Sequence, residues 1–165
     1  ERHMNALPIE TKLDMTLPFL HKAGLIDKVD DSATRDVVAA LLKAAGDRIK
    51  IAGDILDYPD FFTPDDQLEY DEKAFDKRIR NDEPAVGFLK QLRAELESAE
   101  VFETEPLHDL MKAFLEKHEI KFAQVIHALR VATTGKGVGM GMFESLEILG
   151  RERTLARIDR ALTLV

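Results

Sequence analysis

The sequence predicts an all-α protein. Apolar residues recur at three- and four-residue spacing along most of the chain, which is the period of an amphipathic helix. Glycines and prolines separate these stretches, and the short alternating apolar segments that would predict a sheet are absent. With 165 residues, 45% of them hydrophobic, the chain is long enough for one domain or for two small ones. We expect about nine short helices in two helical subdomains.

The first 46 residues predict two helices. The first helix begins at Pro8, is kinked by Pro18 and ends at Gly24, since proline interrupts helical hydrogen bonding and glycine readily closes a helix. Ser32 is the predicted N-cap of the second helix, which Gly46 ends.

The next segment predicts a shorter helix and an aromatic loop. The helix starts at Asp47 or Arg48 and ends before Pro59, and its apolar stripe comprises Ile51, Ile55 and Leu56. The loop 58–66 carries three aromatic residues. We interpret them as a plug in the core rather than as a base-stacking platform, because no basic residue lies between Ala52 and Glu72 to hold a phosphate.

The remaining segments complete the two predicted subdomains. Asp71 caps a short helix that runs to about residue 79, and Asn81-Asp82-Glu83-Pro84 is the boundary between subdomains 1–80 and 81–165. Thr104 caps a helix of the second subdomain. The predicted helices of that subdomain are 84–97, 105–118, 120–134, 143–149 and 151–161.

The charge of the chain argues against indiscriminate nucleic-acid binding. The net charge is −8, whereas such binding needs a broad basic surface. Between Ile120 and Phe143, however, there are three basic residues (Lys121, Arg130 and Lys136) and no acidic one. The sequence therefore leaves room for a confined contact surface near the C-terminal end.

Composition excludes several other kinds of site. No apolar run approaches the roughly 20 residues that span a bilayer, and we find no signal peptide. The absence of cysteine excludes disulfides and thiolate metal sites, and it fits a reducing compartment. No two of the five histidines lie three or four residues apart, so we predict no metal site. We also find no serine in a nucleophile-elbow context and predict no catalytic residue.

The segment Gly135–Gly141 has four glycines in seven residues and includes Lys136. A helix end, an uncrowded backbone and positive charge together suit an anionic or flat ligand. The pattern is not a Walker loop, because the lysine follows the first glycine and no strand precedes it. Taken alone, it is compatible with a tight helix connection or with a ligand-contacting loop.

Two arginines are candidates for a binding role. Arg130 lies just before the glycine-rich loop, and Arg48 lies at the start of a predicted helix. Each is compatible with capping or packing, or with presenting its planar donor fork to a base edge or a phosphate. We interpret the four arginines of the last helix as a solvated face paired with Glu152 and Asp159; they are Arg151, Arg153, Arg157 and Arg160.

The C-terminal segment 129–162 resembles the C-terminus of bacterial-type glutamyl-tRNA synthetases, which are class I aminoacyl-tRNA synthetases. That pattern runs Leu-Arg-x-Ala-x-Thr-Gly, a short loop, Leu-Phe-Glu, then Leu-Gly-x-Glu-Arg and a terminal helix. The matching residues are Arg130, Thr134, Gly135, Phe143, Glu144, Leu149, Gly150, Glu152 and Arg153. Upstream, Leu17-Pro18-Phe19-Leu20, Ala23-Gly24-Leu25, Asp47-Arg48-Ile49-Lys50 and Phe61-Phe62 resemble the same family in the same order, so the resemblance covers nearly the whole chain.

The resemblance implies a helical cage of two packed subdomains that binds the anticodon loop of glutamate tRNA. It implies that Arg48 reads the third anticodon base, and that Arg130 and the loop contact the first two. The implied loop residues are Gly139, Met140 and Met142, and we predict that Lys136 of the same loop also binds the anticodon. The arginine at position 48 further implies a parent enzyme that discriminates against glutamine tRNA.

The resemblance also implies what lies outside this chain. The family's ATP-handling signatures, a His-Ile-Gly-His-like tetrad and a Lys-Met-Ser-Lys-like loop, occur nowhere in the sequence. ATP and Mg²⁺ are therefore expected in an N-terminal catalytic domain that acts in cis, and this fragment alone should be an inactive part of a glutamate–tRNA ligase. The chain begins at Glu1 without an initiator Met, which we interpret as a piece of a longer protein, and His3-Met4 is compatible with a cloning remnant. We expect a cytoplasmic monomer with no membrane contact.

Two alternative functions remain open at this point. The first is a helical protein-interaction or regulatory module that has lost RNA binding, which the acidity of the chain favours. The second is the helical cage of a class I lysyl-tRNA synthetase, which would have a similar architecture.

Overall fold

The computed structural model describes residues 6–165, and these residues form helices joined by short turns. Within that range there is no strand, so the predicted all-α fold is confirmed. The predicted remnant His3-Met4 lies outside the described residues.

The eight α-helices of the described residues are α1 (Ile9–Lys22), α2 (Ser32–Ala45), α3 (Glu72–Phe75), α4 (Glu83–Glu97), α5 (Thr104–His118), α6 (Ala123–Thr134), α7 (Met142–Leu149) and α8 (Arg151–Thr163). Short 3-10 segments cover Gly46–Arg48, Ala52–Asp57, Pro59–Phe61 and Asp65–Gln67, and a π-helical turn, Asp76–Arg80, continues α3.

The chain divides into two compact units, of which the first ends at Thr63 and the second is Pro64–Val165. The sequence predicts the boundary after residue 80. The structural division comes earlier because α3 and the π turn pack against α4 and α6, and Phe75 and Ile79 are buried in the core of the second unit. Burial of these two side chains against the later helices joins residues 64–80 to the second unit.

In the first unit, α1 packs against α2 and against the 3-10 segment Ala52–Asp57. Pro18 lies inside α1, and Gly24 follows the helix with a φ of +78°. The buried side chains include Leu17, Leu20, Val38, Leu41, Ile49, Ile55 and Phe61. The burial of Phe61 confirms that the aromatic loop contributes to the core, and Tyr58 and Phe62 are half-buried.

The predicted α-helix after Gly46 is wrong. Two 3-10 segments take its place, and Ile51 is 55% exposed instead of lying on an inward stripe. The carboxylate of Asp54 accepts hydrogen bonds from the backbone N–H groups of Lys50 (2.9 Å) and Ile51 (3.2 Å). A side chain that satisfies local backbone donors competes with α-helical hydrogen bonding, and here it selects the tighter turn.

Of the three predicted N-caps, Asp71 is confirmed, since its side chain accepts a hydrogen bond from the N–H of Ala74 at 3.0 Å. Ser32 is wrong, because the preceding residue, Asp31, caps α2. The Asp31 carboxylate accepts from both the N–H and the hydroxyl of Thr34, at 3.1 and 2.8 Å. These two hydrogen bonds lower the pKa of Asp31, the hydroxyl contributing most.

Thr104 is also wrong as an N-cap, because it is the first residue of α5 and Glu103 precedes it without a side-chain cap. The N–H of Thr104 donates instead to the carboxylate of Glu147 in α7, at 3.0 Å. The backbone N–H at the start of α5 thus finds its acceptor on a residue 43 positions away, and no local sequence pattern indicates this.

The second unit is built around α6, of which eight residues are buried. Helices α4, α7 and α8 pack against it, as do α3 and the π turn. Its core includes Leu89, Leu92, Leu107, Val125, Leu129, Val131, Leu146 and Ile158. Across the described part of the chain, every helix is too short or too polar to cross a membrane.

Candidate functional site

The glycine-rich loop begins where α6 ends. Gly135 closes α6 in the left-handed conformation, with a φ of +80°, and its N–H donates to the carbonyl of Val131 at 2.8 Å. The helix end predicted at Thr134-Gly135 is therefore confirmed. The loop continues to Gly141, and α7 starts at Met142.

Gly135 is held tightly against the segment that precedes α3. Its carbonyl accepts a hydrogen bond from the N–H of Asp71 at 2.8 Å. A Cβ at position 135 would lie 2.2 Å from the backbone oxygen of Glu69, far inside contact distance. Both the positive φ and this close approach require glycine here.

Buried hydrogen bonds stabilise the last turn of α6, from which the loop begins. Arg157 of α8 is 0% exposed, and it donates to the carbonyl of Thr133 and to the carboxylate of Asp65, each at 2.7 Å. The hydroxyl of Tyr70 donates to the carbonyl of Ala132 at 3.1 Å. These donors satisfy carbonyls in the last turn of α6, which the helix itself leaves without partners.

The interpretation of the α8 arginines as a solvated face is wrong. Arg153 and Arg157 both contact Asp65, at 3.1 and 2.7 Å, and Arg160 donates to the carbonyl of Leu68. Asp159 pairs with Arg93 of α4 at 2.8 Å rather than with an arginine of its own helix. Buried charge is tolerated here because carboxylates and carbonyls accept from it.

Arg130 connects the end of α6 to the far side of the loop. Its Nη1 donates to the carbonyl of Met140 at 2.7 Å. A Cβ on Gly139 would lie 3.4 Å from the same nitrogen, so the loop backbone passes close over the guanidinium. The packing alternative predicted for Arg130 is thus realised, on a loop carbonyl rather than on a carbonyl of its own helix.

The two loop methionines are buried, with Met140 3% exposed and Met142 4% exposed. Met142 lies in the core of the second unit, and in both residues the side chain is covered by the protein. The resemblance implies that both contact anticodon bases. In the structure the exposed positions beside them are Gly139 and Gly141.

The outer surface of the loop consists of Lys136, Val138, Gly139 and Gly141, all of them exposed. Val138 is 81% exposed, the most of any large hydrophobic residue in the described part of the chain. The sequence analysis missed Val138. The signal that could have found it is an isolated β-branched residue between two glycines, with no helical period to bury it.

Three further cationic or titratable residues lie beside the loop. Lys77 and Arg78 belong to the π turn, which packs against α6, and His127 is one turn before Arg130 on α6. Burial lowers the pKa of His127, and the positive charges of Arg78, Arg130 and Lys77 lower it further. The sequence does not predict that these positive charges lie near His127, because Lys77 and His127 are 50 positions apart.

Arg48 belongs to the first unit, where it is the exposed last residue of the 3-10 segment Gly46–Arg48. Burial raises the pKa of Tyr58, and the charge of Arg48 opposes that rise. A cation therefore does lie near the aromatic loop. The sequence-based exclusion of a stacking platform did not include Arg48, because only residues between 52 and 72 were considered.

No group of three or more His, Asp or Glu side chains within residues 6–165 is arranged to hold a metal ion. The candidate site consists of the exposed backbone of the glycine-rich loop, the supporting arginines Arg130 and Arg157, and the exposed side chain of Val138.

Comparison with known proteins identifies the family. A family model described as an anticodon binding domain matches residues 11–162, nearly the whole chain. The chain belongs to this family. The match includes the glycine-rich loop, Arg130 and Arg48 in a single domain.

The anticodon binding domain is similar to the C-terminal part of glutamate–tRNA ligases. It is 38% identical over 163 residues to the ligase of Streptomyces avermitilis and 34% identical over 160 residues to that of Streptomyces griseus subsp. griseus. In both comparisons the alignment covers 97% of this chain and 31% of the relative. The domain therefore spans about a third of the length of these curated relatives.

Solved structures share the fold. The crystal structure of a glutamate tRNA ligase from Elizabethkingia meningosepticum matches with a TM-score of 0.77 at 21% identity, over 96% of this chain and 30% of that one. Glutamate-tRNA synthetase from Elizabethkingia anophelis gives a TM-score of 0.76 at 22% identity, over 95% of this chain and 29% of that one.

Proposed function

We propose that this domain binds the anticodon loop of glutamate tRNA as the C-terminal part of a glutamate–tRNA ligase. The observation that carries the proposal is the exposed glycine-rich loop, anchored on Arg130 and Arg157, in a domain of the anticodon binding family. A rigidly supported loop with few side chains lets bases approach backbone donors and acceptors closely.

Within the loop, each residue has a proposed part. Val138 packs against the face of an anticodon base and supplies an apolar contact there. The backbone at Gly139 offers hydrogen bonds to a base edge, and Lys136 attracts the phosphate chain. Met140 and Met142 support the loop from the core.

Arg130 has two proposed parts. Through its bond to the Met140 carbonyl it fixes the loop, and its planar guanidinium stacks beneath one of the first two anticodon bases. In the first unit, Arg48 reads the third base. A planar fork suits cytosine, whose O2 and N3 are both acceptors, and it is repelled by the donors on the corresponding edge of guanine.

The parent enzyme is proposed to activate glutamate with ATP and Mg²⁺ in a catalytic domain in cis, since this chain matches only about 30% of each related ligase. We propose that it acts in the cytoplasm and that the domain is monomeric.

The proposal is tested by adding the isolated anticodon stem-loop of glutamate tRNA to isotope-labelled domain and following backbone amide shifts. We expect the largest changes at Lys136, Val138 and Gly139 in the second unit and around Arg48 in the first. Changes centred on other surfaces, such as the outer face of α5, would contradict it. No change at all would favour an interaction module without RNA binding.

A further inference from the structure

A second basic surface lies where the π turn after α3 packs against α6. Lys77 and Arg78 lie on the π turn that follows α3, and His127 lies on α6, which packs against that turn. Lys77 is exposed, and Arg78 and His127 are half-buried. We call these three residues the basic cluster.

The acidic residues of α3 and its π turn are Glu72 and Asp76. Glu72 and Asp76 are one turn apart, and Asp76 forms an ion pair with Arg80, also one turn further on. Glu72 and Arg80 line a cleft of about 420 Å³ together with Arg160 and Leu164. Lys77 and Arg78 are not among the residues that line this cleft.

Among the described residues, the two cations of the cluster have no close acidic partner, although Asp82 and Glu83 lie at the start of α4, which also packs against the π turn. Within residues 6–165, neither Lys77 nor Arg78 forms an ion pair with an acidic side chain, although the chain as a whole is acidic. Burial, and after it the charges of Arg78, Arg130 and Lys77, lower the pKa of His127, so the histidine is mostly neutral at pH 7. In the cluster Lys77 and Arg78 therefore supply the positive charge that favours an anionic ligand, and His127 supplies a hydrogen-bond donor.

The cluster is continuous with the outer side of the glycine-rich loop. A Cβ on Gly137 would lie 3.7 Å from the Cβ of Ala74, so the loop passes over α3 one turn before Arg78. At its other side the loop passes over Arg130, which is one turn after His127 on α6. An RNA strand bound on the loop would therefore place phosphate groups next to the basic cluster.

From this juxtaposition we propose that Lys77, Arg78 and His127 form a binding site for phosphodiester groups of the RNA strand adjoining the anticodon. The site supplies affinity without base discrimination, because phosphates carry no sequence information. This inference rests on the proposed function, since it takes RNA as the ligand. An acidic protein segment is the competing ligand class, and the test includes it.

The test compares two double variants that remove the same charge. K77Q/R78Q removes two cations from the cluster, and K90Q/K112Q removes two exposed lysines from α4 and α5 as a matched control. Each is titrated with glutamate tRNA and with an anticodon-swapped tRNA at several salt concentrations. Circular dichroism melting verifies that the variants are folded, and the single variant K77Q, at an exposed position, replaces the double variant if the latter is not.

We expect K77Q/R78Q to weaken binding of both tRNAs by the same factor, about three- to tenfold at 0.15 M salt. The slope of log affinity against log salt should become shallower by about 0.7 for each phosphate that the variant no longer neutralises. The control should change neither quantity beyond a small general charge effect. The ratio between the two tRNAs should stay as in the wild type.

Three results would overturn the inference while leaving the proposed function intact. The first is that K77Q/R78Q and the control behave alike. The second is that K77Q/R78Q alters the ratio between the tRNAs, which would make the cluster a base-reading site. The third is that a polyglutamate peptide competes with tRNA for the cluster as effectively as a phosphodiester oligomer does. Wild-type chain that binds neither tRNA would overturn the proposed function, and this inference with it.

Discussion

At the scale of single residues, Arg130 joins structural support to the proposed recognition. Its hydrogen bond to the Met140 carbonyl spans the loop, so its removal should loosen the loop as well as delete an interaction with RNA. The sequence points to this residue, since an arginine before a glycine-rich loop is a recognisable pattern. It leaves packing and base contact open, because the partner carbonyl lies ten positions away across a loop of unknown shape.

We predict that Arg130→Ala weakens binding of glutamate tRNA by about 1–3 kcal/mol, the range for a good arginine–base contact. It should lower the free energy of unfolding by about 1 kcal/mol, the net value of one hydrogen bond. Titration with tRNA and urea denaturation measure the two effects. Arg130→Lys is the control, because it keeps the charge and removes the planar fork. Binding equal to that of the wild type, with lowered stability, would limit Arg130 to packing.

We propose that Arg48 contributes to specificity rather than to stability. It is exposed at the end of a 3-10 segment, so Arg48→Gln should leave the unit folded. We predict that the preference for a cytosine over a guanine as the third anticodon base falls by about tenfold, since glutamine cannot present the bidentate fork. Lys50→Gln, two residues further on and also exposed, should leave that preference unchanged. An unaltered preference in Arg48→Gln would limit Arg48 to its local electrostatic effect on Tyr58.

His127 gives the domain a pH-dependent contribution to stability. Burial and the charges of Arg78, Arg130 and Lys77 lower its pKa below the ordinary 6.5. The unfolded chain therefore binds the proton more readily. This contribution to stability is fully present above pH 6.5 and is lost as the pH falls through the lowered pKa. We predict that the free energy of unfolding falls less between pH 7.5 and 5.5 in His127→Gln than in the wild type. Parallel pH profiles from urea denaturation would contradict this.

At the scale of elements, the connection between α6 and α7 depends on Gly135. Its φ of +80° and the 2.2 Å approach to the Glu69 oxygen both exclude a side chain. We predict that Gly135→Ala lowers the free energy of unfolding by about 1–3 kcal/mol and weakens tRNA binding with it. Gly87→Ala is the matched control.

Position 87 lies inside α4, where a Cβ would meet nothing within 4 Å. Alanine there should stabilise the domain by about 0.5–1 kcal/mol, since it is the better helix former. If Gly135→Ala were as harmless as Gly87→Ala, the tight packing of the loop base against the segment before α3 would be disproved.

The elements that the sequence predicts well are those with a strong local signal. Helices α4 to α8 follow from apolar periodicity, and Gly135 marks the end of α6 as expected. The prediction for the segment after Gly46 is wrong because Asp54 competes for backbone donors. The prediction for the arginines of α8 is wrong because their partners, Asp65 and Leu68, lie about 90 positions earlier.

The site itself is predictable in outline only. Its glycines and Arg130 are local in sequence, whereas the basic cluster forms when the π turn packs against α6. Burial reverses the expectation for the two methionines, because a residue beside glycine can turn either inward or outward and only packing decides. Val138 takes the exposed position for the same reason.

At the scale of the whole molecule, an acidic chain of net charge −8 is proposed to bind a polyanion. Such binding requires that the positive charge be confined to a small surface, and we propose that part of this surface is the loop and the basic cluster of the second unit. Recognition by such a small surface depends on specific contacts more than on general attraction. Anticodon preference is therefore the property that separates this account from nonspecific binding.

The most direct test is the affinity of the 165-residue chain for glutamate tRNA, compared with the same tRNA carrying a lysine anticodon, by fluorescence titration at 0.15 M salt. The account predicts that the chain binds glutamate tRNA and that the anticodon swap weakens binding at least tenfold, since each mismatched base should cost about 1–3 kcal/mol. Equal affinity for the two tRNAs, a preference for the lysine anticodon, or no binding to either would contradict it.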